Sequence, residues 1–192
     1  LLERRSHERS GLSRARLSLL SKLSPLDAAA RMQRAIDTLR ACVRAGAEHV
    51  VITGDLTEDG SPAQFEALAE VLSESGVGAE RVTLVPGNHD GYGEPGAFDR
   101  ALRGPLAPYR KTSAAHSAVV LDGVILQPIS TMIEGQSIAK AGGAVRTEDI
   151  EAIRKLERDT LCRERTLVVV QHHPPATPRS PALAFFYGVD NG

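Results

Sequence analysis

Apolar and polar positions along the chain follow two rhythms in turn. Ala29, Met32, Ile36, Leu39 and Val43 recur at three- and four-residue spacing, one face of an amphipathic helix. Ser24-Pro25-Leu26-Asp27 predicts its start, with Ser24 as N-cap, Pro25 at the first helical position and Asp27 in the first turn. Gly46 predicts its end. His49–Thr53 is then a short, near-continuous apolar run, which reads as a buried strand. A second helix begins at Ser61-Pro62-Ala63-Gln64, a capping box with Pro62 at the first position. Phe65, Leu68, Ala69 and Leu72 form its apolar face and Gly76 stops it, before a further buried strand over Arg81–Val85. Strands separated by helices imply a parallel sheet with right-handed crossovers. Parallel strands end on one edge, so residues just past Thr53 and just past Val85 meet at a common rim.

The second half changes character. A short helix is expected over Gly96–Leu102. Ala115–Leu121 and Val124–Thr131 read as β, joined by Asp122-Gly123, a strong hairpin signal. Gly135, Gly142 and Gly143 predict a loop near that rim. Thr147 is the expected cap of a helix carrying Ile150, Ile153 and Leu156, and Thr166–Val170 is a third buried strand. Residues 1–23 lack a clean period and read as a basic loop, with a short helix at Arg16–Leu23. Nothing repeats. The expectation is one α/β domain with mixed sheets over residues 1–192.

Composition narrows the function classes. Apolar content of 42% and charged content of 24% are those of a globular chain, and a net charge of −1 provides no global field for nucleic acid or membrane. Residues 1–46 do carry ten basic residues against four acidic ones, but no aromatic residue interleaves them as a base-stacking surface requires. That stretch reads as a solvated face, and His7 within it as an ordinary exposed histidine rather than a ligand. Cys42 and Cys162 stand in no ligand spacing and read as small buried hydrophobes of a reducing, cytoplasmic compartment. No apolar run reaches the ~18 residues of a membrane span.

The chemistry lies at the strand ends. One strand runs into Gly54-Asp55, the next into Pro86-Gly87-Asn88-His89-Asp90, and the third into Gln171-His172-His173-Pro174-Pro175. In open α/β sheets ligands bind outside the carboxyl ends of strands. Carboxylate, amide oxygen and imidazole form a mixed oxygen/nitrogen set suited to Mn, Fe or Zn rather than to a thiolate-binding metal. Gly54 and Gly87 each precede a polar group, which lets the backbone turn tightly and approach a ligand.

Gly54-Asp55, Gly87-Asn88-His89-Asp90 and His172-His173-Pro174-Pro175 resemble the middle three blocks of the calcineurin-like metallophosphoesterases. The fuller block from Gly54 to Gly60 is similar to the bacterial branch that contains cyclic-nucleotide and glycerophosphodiester phosphodiesterases. The resemblance implies a four-layer α-β-β-α sandwich with mixed sheets. It also implies phosphoester hydrolysis by a two-metal-activated hydroxide. In it Asp55 bridges the metals, Asn88 and His172 ligate one of them, and His89 is a catalytic acid that does not ligate. Asp90 is expected either to accept from the other ring nitrogen of His89 and hold the ring, or to serve as a cap or turn residue. His173 is expected behind the ligands or facing substrate, and Glu58 and Asp59 as loop or cap residues. The expected substrate is a small phosphodiester. A nuclease or nucleotide-pyrophosphate hydrolase on the same fold, and a scaffold without activity, are the alternatives. The family's opening Asp-x-His and closing Gly-His-x-His strings do not occur in the chain. The chain is therefore read as an incomplete piece, marginally folded and inactive when isolated.

Overall fold

The computed structural model of the chain describes residue 15 and residues 27–115, 117–136, 141–175 and 187–190. The first periodic stretch forms helix α1, Ala28–Arg44. Its N-cap is Asp27, whose carboxylate accepts from the Ala30 N–H at 3.0 Å. The expected cap, Ser24, and Pro25 lie outside the described residues. A carboxylate satisfies a free N–H and also meets the positive end of the helix dipole, which favours Asp27 at that position. Met32, Ile36 and Leu39 are buried as expected, whereas Ala29 is exposed in the first turn.

Strand β1 is Val50–Thr53, helix α2 is Pro62–Ser75 and strand β2 is Val82–Val85. Gly76 closes α2 with φ 74°. β1 and β2 pair in parallel, Val50 opposite Val82 and Thr53 opposite Val85. Side chains alternate across this sheet. Val50, Ile52, Val82 and Leu84 pack with Met32, Ile36, Leu39, Phe65, Leu68 and Leu72 of the two helices. Val51 and Val85 point the other way, towards Leu126 and Val170. Beyond β2 come two short helices, α3 (Ala97–Ala101) and α4 (Arg110–Ser113). The hydroxyls of α4 take the place of a further strand on β2: Thr112 donates to the Val82 carbonyl at 2.5 Å, and Ser113 accepts from the Leu84 N–H at 2.9 Å. Ser61 caps α2 by backbone without the expected capping box. The Gln64 amide turns instead to the preceding loop, where it accepts from the N–H groups of Glu58 and Asp59.

The second sheet is mixed. β3 (Val119–Val120) runs antiparallel to β4 (Val124–Pro128) around Asp122-Gly123, a shorter hairpin than the β pattern predicts. After β5 (Ala141–Ala144) and helix α5 (Thr147–Glu157), strand β6 (Thr166–Val170) adds in parallel to β4. β5 pairs in parallel with β7, Tyr187–Asp190. Val85, Leu126 and Val170 form the buried contact between the first and second sheets. The result is the mixed α/β architecture expected from the resemblance.

Several local expectations change. Gly142 and Gly143 lie in β5 rather than in a loop. β6 is largely exposed, with Val168 at 39% and Val169 at 38%, and only Val170 is buried. β1 is half-buried, while β2 is buried throughout. α5 is capped by the backbone of Arg146, not by Thr147, and leaves Ile150 exposed. Its buried residue is Asp149, joined to Arg146 at 3.0 Å. Cys42 and Cys162 are free and half-buried. No helix among the described residues is long and apolar enough to cross a membrane.

Candidate metal centre

The rim predicted from the strand ends exists. The chain leaves β1 through Gly54 at φ 91° and Asp55 at φ 50°, the latter the one non-glycine residue with positive φ among those described. Backbone in that region costs free energy and is held by its surroundings. Neither Gly54 nor Gly87 has room for a side chain. A Cβ on Gly54 would lie 2.0 Å from Nδ1 of His172, and one on Gly87 would lie 2.4 Å from the Asp55 nitrogen. These two glycines allow the three strand ends to close on one another.

His172 fixes the chemistry of the meeting point. Its Nδ1 lies 2.7 Å from the Thr53 carbonyl oxygen. A carbonyl only accepts, so Nδ1 carries the hydrogen, and in the neutral ring Nε2 presents its lone pair. Nε2 faces Oδ1 of Asn88 at 3.3 Å and Oδ1 of Asp55 at 3.5 Å. Asn88, 4% exposed, directs its amide nitrogen away to the Tyr92 hydroxyl at 2.5 Å, which leaves the amide oxygen towards the site. Three electron-pair donors thus converge with no hydrogen to place between them. With metal–ligand bonds of ~2.0–2.2 Å, neighbouring donors lie roughly 2.8–3.1 Å apart in an octahedral shell and roughly 3.3–3.6 Å apart in a tetrahedral one. The observed separations fall in the latter span, so the donor set fits a divalent ion. Among the described residues no group of three or more His, Cys, Asp and Glu is placed to hold a metal, so the third donor here is the Asn88 amide.

His89 and Asp90, adjacent in sequence, part company. Nδ1 of His89 lies 3.0 Å from the Glu58 carbonyl oxygen and 3.7 Å from the Glu58 carboxylate, while its backbone N–H donates to Asp55 at 3.3 Å. The carbonyl again assigns the hydrogen to Nδ1. Asp90 does not hold the ring in the way expected. It is fully buried, and its carboxylate accepts from the N–H groups of Leu56 (3.1 Å), Thr57 (2.8 Å) and Gly87 (2.8 Å) and from the Thr57 hydroxyl (2.6 Å). Burial pushes its carboxyl pKa above the ordinary value and these four hydrogen bonds oppose that rise. Asp90 thus ties the Asp55 loop to the Asn88 loop. A carboxylate with two acceptors per oxygen suits such a junction, where three backbone donors point inward.

The calcineurin-like phosphoesterase family profile matches residues 27–190. The chain belongs to that family. Comparison with curated proteins finds no match. Members of the family hydrolyse phosphoesters with divalent metals, typically two, and the Asp55–Asn88–His172 cluster lies inside the matched span.

Two residues of the rim sit differently from what their motifs suggest. Glu58, read from sequence as a loop residue, lies beside His89 and 3.8 Å from the Arg31 guanidinium. Its position three residues past Asp55 on the same rim is the only signal that marks it. His173 turns inward rather than towards substrate. It is 3% exposed, packs edge-on against His172 with ring centres 4.8 Å apart, and places Nδ1 2.7 Å from the Thr131 hydroxyl. Its Nε2 is buried with no hydrogen-bond partner among the described residues. Burial first, then the neighbouring His172, lowers its pKa to about 4, so the ring stays neutral beside His172. Nothing in the local sequence of Thr131 marks it for this role.

Proposed function

We propose that this phosphoesterase hydrolyses a small phosphodiester, a cyclic nucleotide or a glycerophosphodiester, with Asp55, Asn88 and His172 holding metal and His89 acting as the proton donor. The observation that carries the reading is the convergence of three lone-pair donors, Nε2 of His172 facing Asn88 at 3.3 Å and Asp55 at 3.5 Å. A bound Mn, Fe or Zn ion supplies Lewis acidity towards the phosphoryl oxygens and activates the attacking water. Asp55, with two oxygens and a full charge, is the ligand suited to bridge two ions. Asn88 adds an oxygen donor without further negative charge. His89, held through Nδ1 by the Glu58 carbonyl, serves as the proton donor in its imidazolium form, whose second hydrogen, on Nε2, passes to the leaving alkoxide. The block from Gly54 to Gly60 resembles the small-molecule branch, and the ten basic residues of positions 1–46 have no aromatic residue among them, as a surface that stacks the bases of a single strand requires.

The test separates binding from chemistry. In Mn²⁺-loaded protein, His89→Ala is expected to lower turnover of a small diester by roughly 10²–10⁴ with metal content unchanged. Asp55→Ala is expected to lose metal and turnover together. Metal loss in His89→Ala equal to that in Asp55→Ala would refute the division of roles. Faster cleavage of DNA than of the small diesters would replace the substrate assignment with a nuclease.

A further inference from the structure

Tyr92 touches both chemical halves of the centre, yet no motif includes it. It ends the tight turn that begins at Asn88, where the Gly91 N–H reaches the Asn88 carbonyl at 3.1 Å and the Tyr92 N–H reaches the His89 carbonyl at 3.3 Å. That turn is anchored from two directions. Asp90 fastens it to Leu56, Thr57 and Gly87, and the Gly135 N–H donates to the Gly91 carbonyl at 3.3 Å. The side chain of Tyr92 then folds back over the turn. Its hydroxyl accepts from Nδ2 of Asn88 at 2.5 Å, and its ring lies against the His89 imidazole with centres 5.0 Å apart and planes inclined by 50°.

An amide ligand has one useful end. Oδ1 of Asn88 donates electrons to a cation, whereas its NH₂ group carries hydrogens that repel one. The amide is nearly buried, so its NH₂ needs a protein acceptor, and the phenol oxygen supplies it on the side away from His172. The same ring packs against His89, at a centre-to-centre distance within the usual range of aromatic pairs. One side chain thus sets the direction of a ligand by its hydroxyl and of an imidazole by its ring.

We propose that Tyr92 is a positioning residue for this centre, its hydroxyl orienting the Asn88 ligand and its ring orienting His89. The inference rests on the metal reading above, and the experiment separates the two. The full chain and its Tyr92→Phe and Tyr92→Leu variants are titrated with Mn²⁺ and with Co²⁺, the latter followed by its visible absorbance. The His89 ring protons are followed by NMR in the metal-free proteins, and thermal melts confirm that both variants fold. Tyr92→Phe is expected to weaken metal binding by ~10–100-fold, the usual effect of losing a group that orients a ligand. It is expected to leave the His89 ring resonances in place, because the ring remains. Tyr92→Leu is expected to weaken metal binding to the same degree and also to move those resonances. Normal wild-type uptake with unaltered uptake in Tyr92→Phe overturns the role of the hydroxyl. Unmoved His89 resonances in Tyr92→Leu overturn the role of the ring. Wild-type chain that takes up neither ion overturns the metal reading itself.

Discussion

Replacing Asp90 by Asn tests whether this carboxylate serves His89 or the backbone. The change keeps the shape and removes one acceptor end. If the new NH₂ takes the place of Oδ2 it meets the N–H groups of Leu56 and Gly87, donor against donor. In place of Oδ1 it meets the Thr57 N–H and the Thr57 hydroxyl, which can rotate to accept. The second orientation costs less, but it still forfeits the bond from the Thr57 N–H and removes the charge from the other three. At ~1.5–3 kcal/mol for a hydrogen bond to a charged group, one lost and three weakened bonds amount to roughly 3–5 kcal/mol. With a urea dependence of about 2 kcal/mol per M, the unfolding midpoint is expected to fall by roughly 1.5–2.5 M. Asp90→Ala removes all four bonds from a site with no exposure, and its cost approaches the ~5–15 kcal/mol stability of a whole domain, so that variant is expected to be largely unfolded. Circular dichroism in metal-free buffer reads both without interference from ligand binding. An Asp90→Asn midpoint equal to wild type would refute the reasoning and return Asp90 to the role of a partner for His89.

Other outcomes follow from the same geometry. Because the His173 pKa is lowered to about 4 in the folded chain, the unfolded state binds a proton between pH 6.5 and 4 that the folded state refuses. Its contribution to stability is therefore fully present above pH 6.5 and lost as pH falls towards 4. Urea midpoints across that range are expected to fall less steeply in His173→Gln than in wild type; equal slopes would show that this ring does not contribute. Gly54→Ala forces a Cβ to within 2.0 Å of His172 Nδ1 at a backbone φ of 91°, so it is expected to displace the ligand and abolish measurable Mn²⁺ uptake, checked by calorimetric titration. Retained uptake would mean that the His172–Thr53 contact is dispensable.

Much of this site was legible before any coordinates. Each helix face, each glycine stop and each strand end depends on residues within a few positions of one another, and such local patterns survive in a linear string. The placement of Asp55, Asn88 and His172 on one rim follows from parallel strands ending on one edge. What those side chains do to each other does not. The hydrogen on His172 Nδ1 is placed by the Thr53 carbonyl, 119 residues away, and its Nε2 is aimed at Asn88, 84 residues away. The same holds for Asp90. Adjacency to His89 predicts a partnership, but two neighbours on a tight turn point in different directions, and the buried backbone donors of a loop 33 residues earlier claim the carboxylate. Gln64 reads as half of a capping box until the loop before its helix offers two N–H groups to its amide. The roles of Thr131, Glu58 and Tyr92 are marked by no motif because they exist only where loops cross. Sequence therefore determined which groups reach the rim, since that is a matter of local periodicity and strand direction. Tertiary structure alone decided which atom of each group faces the rim and which is held back, because hydrogen-bond direction is set by partners that only folding brings together.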